Sequence, residues 1–516
     1  MNTLAKTTAQ RLRQAGTKTA SCLSIAQVLL LAPLLLAGAY VALTPNFNLL
    51  PWLTAYDGKR LLQIGLLVIG AGCAGAVPRL RAGWVDTFRT LPAAARWGLG
   101  VVLTLGVASA LTAPVPRYGL LSVAHYALLF SFGLTAASVC RAFPKRFFQG
   151  LLGALGIGIV LYMVTFGVGY AMHLAGGKID IWPGDYIGFA NKRFFNQFQS
   201  WSLPLLVLPM LMPYTRRVKG VRALAFACAA FWWMLAFASG GRGILLGLLV
   251  ALVGVALLFR KKAWPWVRLH LAAGAVGAML FGLLFKVVTN TGLSIAERAG
   301  KATGGRLADW QGIAEATWQH PWLGLGPMHT AYAPNELWPT THNAVLQFVT
   351  EWGLPATVLL VGLALWGLFA WGRNARRRLS THAERGSAEQ DAGAEQPPAI
   401  SSGVHVALTG SLLAAGTHAM VSGVVVMPTS QVMMALVLGA ALGLHLPRRV
   451  LSVSSLLPTG KAQWGLVAFL GIGTGVLLWA IVPDAFALNM RILEYIVQED
   501  RLKLSPRYWN QGLFGY

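Results

Sequence analysis

Long apolar runs separated by short polar breaks dominate this chain. The runs fall near 24–44, 60–77, 97–113, 118–140, 148–172, 199–213, 222–239, 241–259, 267–288, 344–372, 404–425, 430–447 and 463–484. A helix of roughly 20 apolar residues crosses about 30 Å of hydrocarbon. The pattern therefore predicts an all-α polytopic membrane protein with about 12 (12–13) transmembrane helices. The 199–213 run is short for a span, and the two runs between 404 and 447 are separated by only a few residues.

Composition supports this class. Hydrophobic residues make up 56% of the chain and charged residues 11%, whereas soluble domains carry about 25% charged residues. The net charge of +25 would suit a nucleic-acid binder, but its distribution does not. Twenty-seven of the 42 Lys and Arg cluster at the N-terminus and in every second loop, around Arg79–Arg96, Arg141–Arg146, Arg216–Arg222, Arg260–Arg268, Arg373–Arg385 and Arg448–Lys461. This positive-inside pattern assigns those loops and residues 1–23 to the cytoplasm. The basic N-terminus precedes an apolar run with no convincing small-residue cleavage site, so it reads as an uncleaved first span. Four cysteines, Cys22, Cys73, Cys140 and Cys228, lie in or beside spans without metal-ligand spacing, which argues against a disulfide framework or a zinc site.

The alternation divides the chain into a transmembrane bundle (24–288), an external loop (289–343), a second bundle (344–484) interrupted by a cytoplasmic loop (373–402), and an external amphipathic tail (485–516). Residues 24–172 show few ionisable groups at membrane depth and read as packing scaffold with room for a lipid-tail groove; His125 and His173 read as interfacial or packed.

Three polar stretches on the external side carry candidate chemistry. In 173–198, Lys178, Lys192 and Arg193 are interleaved with Trp182, Tyr186, Phe194 and Phe195, a mixture that suits a lipid headgroup or a sugar face as well as an ordinary aromatic belt. Lys192-Arg193, followed by Asn196 and Gln197, is the stronger part. At Ser239-Gly240-Gly241-Arg242-Gly243 a single arginine sits between two apolar helices with almost no loop to carry it away and no acidic residue nearby in sequence. A guanidinium there requires an anionic partner, either a ligand or a structural ion-pair partner.

The third stretch, Gly304–Gly353, is too polar to cross a bilayer and too patterned to be a linker. A basic entry, Arg298, Lys301 and Arg306, leads into surface-lying helix pattern, then the rigid PWLGLGP turn at 321–327, then His342-Asn343 where the next span begins. The external cations Lys192, Arg193, Arg242, Arg298, Lys301 and Arg306, with His342, outweigh the carboxylates Asp180, Asp185, Asp309, Glu315 and Glu351. Such a site suits an anion, most simply a lipid phosphate or diphosphate, whose charge arginines can take bidentately without a metal. No D-x-D, H-E-x-x-H or Walker-type motif is present. Neutral His342 could take a proton from an attacking hydroxyl or serve as a hydrogen-bonded structural residue at a helix start.

The elements SGGRG (239–243), GGRLADWQ (304–311), HPWLGLGP (320–327) and THNAVLQFVTEWG (341–353) together resemble the signature region of the O-antigen ligase and polymerase superfamily of bacterial envelope proteins. The resemblance covers roughly 225–372. It implies a multi-span, GT-C-like glycosyltransferase of the bacterial inner membrane with a large helical periplasmic loop between late spans, acting on an undecaprenyl-diphosphate-linked glycan at the periplasmic face. It also implies that Arg242, Arg306 and His342 match the family's essential residues. From the charge pattern, Lys192, Arg193, Asn343, Arg298 and Lys301 are the expected diphosphate or sugar contacts, and no metal or cofactor is expected. Ligases, polymerases and protein oligosaccharyltransferases share these motifs. A ligase that moves O-antigen to lipid A-core is the expectation, because the chain stops soon after its last span. A lipid-linked glycan transporter is the rival from another class; membrane lipids, not nucleic acid, are the expected surroundings in either case.

Overall fold

The computed structural model describes residues 25–176, 188–189, 191–215, 217–288, 304–332, 341–388, 402–447, 460–497 and 508–509. The N-terminus 1–23, Cys22, Lys178, Trp182, Tyr186, Arg298 and Lys301 lie outside the described residues. The described residues form helices without strands: α1 Ile25–Leu43, α2 Ala55–Ala76, α3 Pro78–Thr90, α4 Ala93–Thr112, α5 Pro116–Ala142, α6 Pro144–Ala175, α7 Lys192–Ser202, α8 Leu208–Leu211, α9 Lys219–Ser239, α10 Arg242–Phe259, α11 Trp264–Phe281, α12 Gly304–Gln319, α13 Ala344–Ala388, α14 Ser402–Ala419, α15 Pro428–His445 and α16 Lys461–Val497. Among them, α2, α4, α5, α6, α9, α10, α11, α13, α15 and α16 are long and apolar enough to cross a membrane, ten in all.

The remaining expected spans differ for identifiable reasons. Leu31–Leu43 of α1 is a shorter apolar stretch. The 199–213 run is not one helix but the end of α7, a 3₁₀ turn at Leu203–Leu205 and the single turn α8; Pro204 and Pro209, which cannot donate to a preceding carbonyl, each begin a new piece. α14 carries buried His405, Thr409 and Ser411 among its apolar residues, and protein rather than lipid surrounds it. The boundaries expected at 372 and 484 mark a change of polarity inside a helix, since α13 continues to Ala388 and α16 to Val497.

Small residues set the tightest helix pairs. A β-carbon added at Gly439 of α15 would lie 2.6 Å from the Gly133 carbonyl oxygen of α5, and one added a turn later at Gly443 would lie 2.6 Å from that of Ala137. Gly247 of α10 meets the Ala414 carbonyl of α14 in the same way, at 2.5 Å, and Gly277 of α11 meets that of Ala230 of α9 at 2.7 Å. Lipid tails are as apolar as Leu, so helices in a bilayer associate by close van der Waals approach, which these glycines permit.

The connections sort into two ends. At one, Arg141 pairs with Asp86 at 2.8 Å and donates to the Pro447 carbonyl, Arg81 reaches Gln463, Lys262 reaches the Leu379 carbonyl, and Arg378 reaches that of His445. The described basic clusters of every second loop thus converge. At the other end lie the turns at 44–54, 113–115, 188–189, 240–241 and 420–427 and the segments 320–332 and 341–343, tied together by the contacts described below.

Replacing Gly439 by Val is expected to cost about 1–3 kcal/mol by overpacking and to lower the unfolding midpoint of the detergent-purified protein. Gly156→Ala, whose added β-carbon meets nothing within 4 Å, should leave that midpoint unchanged.

Candidate active site

The start of α13 is a built structure. Asn343 caps it, its Oδ1 accepting from the backbone N–H of Val345 at 2.9 Å and Leu346 at 3.1 Å, and Thr341 Oγ1 accepts from the Asn343 N–H at 3.3 Å. This capping employs the Asn343 oxygen that the sequence reading offers to substrate. His342, half-buried between them, has φ of 54°, in the left-handed region where side chains other than glycine are uncommon and histidine is one of the enriched exceptions. The Trp310 indole N–H of α12 donates to the Thr341 carbonyl at 3.2 Å, which fastens α12 against the residue preceding His342. Arg306 stands one turn earlier in α12, at the position four residues before Trp310.

About two and a half turns into α13 the helix breaks. Gly353 has φ 80° and ψ 168°, a conformation that only glycine adopts readily, and Pro355 follows. Pro355 has no N–H for the Glu351 carbonyl, and the Leu354 N–H turns away from Thr350 to the Pro321 carbonyl at 2.8 Å. The PWLGLGP segment supplies replacements: the N–H of Leu325 donates to Thr350 O at 2.8 Å and that of Gly326 to Glu351 O at 3.1 Å, while Ser109 of α4 donates to the Leu323 and Glu351 carbonyls. His329 follows, fully buried. It accepts at Nε2 from the Val115 N–H at 3.2 Å, so its Nδ1 carries the proton given to the Pro327 carbonyl at 2.8 Å. Glu351, read from sequence as an external carboxylate, is 1% exposed, and its Oε1 accepts from Thr330 at 2.6 Å.

Arg242 opens α10 after its N-cap Gly241, which follows Gly240, the left-handed C-cap of α9. The guanidinium is exposed, while the backbone around it is packed on two sides. A β-carbon at Gly241 would run into the Asn196 amide of α7, and one at Gly243 would lie 2.7 Å from the His418 ring of α14 and 2.9 Å from Val421. α7 is buried from Phe194 to Ser202 although it is rich in amides and hydroxyls, because it is enclosed by protein. Gln197 donates to Ser422 at 2.9 Å, Ser200 and His418 Nδ1 are 2.5 Å apart, and Asn196 Oδ1 is buried without a protein partner among the described residues. Lys192 is half-buried in the first turn of α7, and Arg193 is exposed beside it.

The same 420–427 turn meets a second group of cations that the sequence reading overlooked. Residues 24–172 are not free of buried ionisable groups: Lys59, Arg60 and His125 are 3%, 2% and 1% exposed. Arg60 donates to Gln63 at 2.7 Å, Gln431 at 2.6 Å, Tyr56 at 2.9 Å and the Val426 carbonyl at 2.6 Å, with the Tyr508 ring 4.9 Å from the guanidinium carbon. Lys59 donates to the Gly188 carbonyl and lies 4.9 Å over the Phe189 ring. Neither forms an ion pair with a described carboxylate; the two described ion pairs are Arg117–Asp484 and Arg141–Asp86. Neutral acceptors therefore hold the Arg60 guanidinium beneath this end of the bundle, with the Lys59 amine beside it and Asp57 buried in the same helix turn. The tail beyond α16 is not simply external, since Tyr508 and Trp509 are both 1% exposed. Tyr508 meets His125 Nδ1 at 3.0 Å, and the Trp509 indole donates to Asp484 at 3.1 Å. Burial pushes the Tyr508 phenol well above its ordinary pKa, so it is a hydroxyl at neutral pH. The sequence signal for this group was Lys59-Arg60 at the head of an apolar run, easily taken for a flanking charge.

The site residues thus gather in two groups at one end, Arg242 with α7 and the 420–427 turn, and His342-Asn343 with α12. Tyr126 links the groups, donating to the Val425 carbonyl at 3.1 Å with its ring 5.8 Å from that of Phe348. Among the described residues no three His, Cys, Asp or Glu side chains come together as a metal site.

A polytopic helical membrane protein is the class these features define. Residues 224–361, about a quarter of the chain, match the family model described as O-antigen ligase, a span that contains Arg242, Arg306, His342 and Asn343 but not Lys192 or Arg193. The match supports the O-antigen ligase and polymerase superfamily and, with it, a membrane enzyme of the glycosyl-transfer type. No curated protein and no solved structure matches the chain.

Two substitutions test the architecture. Gly353→Ala would force a β-carbon into the Trp322 carbonyl at a glycine-only backbone angle, at a cost of about 1–3 kcal/mol or more; limited proteolysis should then cut within 321–327, where the wild type resists. Asn343→Ala should lower stability by about 1 kcal/mol, and Asp or Ser, which also cap, should restore it. If they restore stability without restoring activity, Asn343 also contacts substrate.

Proposed function

We propose that this protein is an O-antigen ligase, transferring a glycan from undecaprenyl diphosphate to lipid A-core at the periplasmic face of the bacterial inner membrane. The observation that carries the proposal is His342, held in a left-handed conformation between the Thr341 and Asn343 contacts and fastened by α12, the helix that bears Arg306. All three residues of the proposed catalytic set, Arg242, Arg306 and His342, fall inside the matched span.

In the proposed reaction a hydroxyl of the lipid A-core attacks the anomeric carbon of the donor's first sugar from the face opposite the diphosphate. The new glycosidic C–O bond forms as the bond to the diphosphate oxygen breaks, so configuration inverts. His342 takes the hydroxyl proton, and undecaprenyl diphosphate departs with its charge held by Arg242 and Arg306. Lys192 and Arg193, with Arg298 and Lys301 from the external loop, add attraction for the anion. Arg60, which forms no ion pair with a described carboxylate, contributes positive potential from below. The arginines supply the charge stabilisation that a divalent ion provides in other glycosyl transfers, so the reaction proceeds without a metal.

Purified protein mixed with undecaprenyl-diphosphate O-antigen and lipid A-core should yield glycosylated lipid A-core in the presence of EDTA. His342→Ala should lower the rate by about 10²–10⁴-fold. Arg242→Lys and Arg306→Lys should each lower it by about 10²-fold, since a point charge replaces a planar fork. Wild-type rates in the lysine variants would remove the diphosphate role. Lengthening of the donor glycan with bare lipid A-core would replace ligase by polymerase, and lipid uptake without transfer would favour a transporter.

A further inference from the structure

A cavity of about 670 Å³ lies among α3, α4, α5, α13, α15 and α16, on the opposite side of Tyr126 from the 420–427 turn. Its wall is apolar, with Phe130, Leu438, Leu466 and Phe469 typical of it. Two of the polar side chains in that wall turn their polar atoms elsewhere: the Trp84 indole donates to the Ser131 carbonyl at 3.2 Å and the Tyr126 hydroxyl to that of Val425 at 3.1 Å. The charged groups on the lining are Arg89 and Arg96. They flank the turn between α3 and α4, at the basic end of the bundle, where Asp86 is already engaged by Arg141. Among the described residues neither guanidinium has a hydrogen bond or an ion pair, and Arg96 Nε is buried without a partner. Trp97, 77% exposed next to Arg96, marks the level of the bilayer interface. The far end of the cavity is closed by Phe348 and Trp352 of α13, within three turns of His342.

We propose that this cavity is a binding site for an anionic glycerophospholipid of the leaflet at the basic end, its phosphate held by Arg89 and Arg96 and an acyl chain reaching inward to Phe348 and Trp352. Two unopposed cations at the mouth of an apolar cavity match a lipid whose charge is at one end. The volume is in the range of about 300–1,000 Å³ typical of small-molecule sites. Gly100 and Gly465 line the cavity and face open space, so the chain leaves room there that any larger side chain would fill. A donor lipid with its diphosphate at Arg242 would bring its charge to the opposite end, away from this mouth. The site is therefore distinct from the proposed reaction centre, and it contacts the helix that His342 precedes.

The full chain in nanodiscs of equal phosphatidylglycerol and phosphatidylcholine, the former carrying a diazirine in its acyl chain, tests the assignment by irradiation and peptide mapping. Adducts should concentrate on Val102, Leu134 and Leu466, which line the cavity and are buried, rather than on the outward-facing Ile157, Val168 and Leu257. The Arg89→Ala/Arg96→Ala variant should weaken retention of phosphatidylglycerol about 25-fold, near fivefold for each charge. Gly465→Leu, with both arginines intact, should abolish the cavity adducts by occupying the space. Adducts spread evenly over the outward faces, adducts unchanged in both variants, or displacement by equimolar undecaprenyl diphosphate would each overturn the proposal, the last by assigning the cavity to a polyprenyl tail.

Discussion

A proline that cannot donate a hydrogen bond organises one end of this bundle. Pro355 leaves the Glu351 carbonyl without its helical partner inside a packed membrane protein, where water does not take the place of a missing donor. The PWLGLGP segment and Ser109 supply the donors, so the loop cannot leave α13 without stranding backbone groups. From that joint the ties continue outward, through His329 to the start of α5 and through Trp310 to the residue preceding His342. Among the described residues, five of the eight with positive φ, Gly324, Gly326, Met328, His342 and Gly353, lie within this one stretch. Backbone strain of this density persists only where surrounding contacts over-determine it.

The electrostatic design is of a different kind. A bilayer-spanning protein normally neutralises a buried arginine with a carboxylate; here Arg60 is met by two glutamines, a tyrosine hydroxyl and a carbonyl. Each acceptor satisfies an N–H without cancelling the charge. Positive potential therefore remains available at the end where Arg242 and His342 stand, and the low dielectric around it lets that potential reach farther than it would in water.

How far the sequence was legible follows from where each signal resides. Helical spans are a property of runs of side chains, and most of those expected stand in the structure within a few residues of their apolar limits. Pro204 and Pro209 were visible, yet a run of leucines and methionines around them outweighed two residues that decide where a helix can continue. Arg242 could be singled out because its neighbours in sequence are apolar; Lys59 and Arg60 could not, because a charge beside an apolar run reads as an interfacial flank until distant helices are seen to close over it. Asn343 shows the same limit in another form. Its type is as suitable for a cap as for a sugar contact, and only the geometry of the following two N–H groups reveals the cap.

The docking of Tyr508 and Trp509 bears on how such a molecule is made. These residues complete the surroundings of His125 and Arg60, on helices that enter the membrane hundreds of residues earlier in synthesis, and of Asp484, 25 residues before Trp509. Until the ribosome has passed residue 509, the arginine has the Tyr56 ring but lacks that of Tyr508, and the aspartate lacks one of its donors. The earliest spans therefore wait, inserted but with an unfinished polar interior, for residues made hundreds of positions later, and a ribosome that stops short of Tyr508 leaves a bundle whose faults lie at its centre.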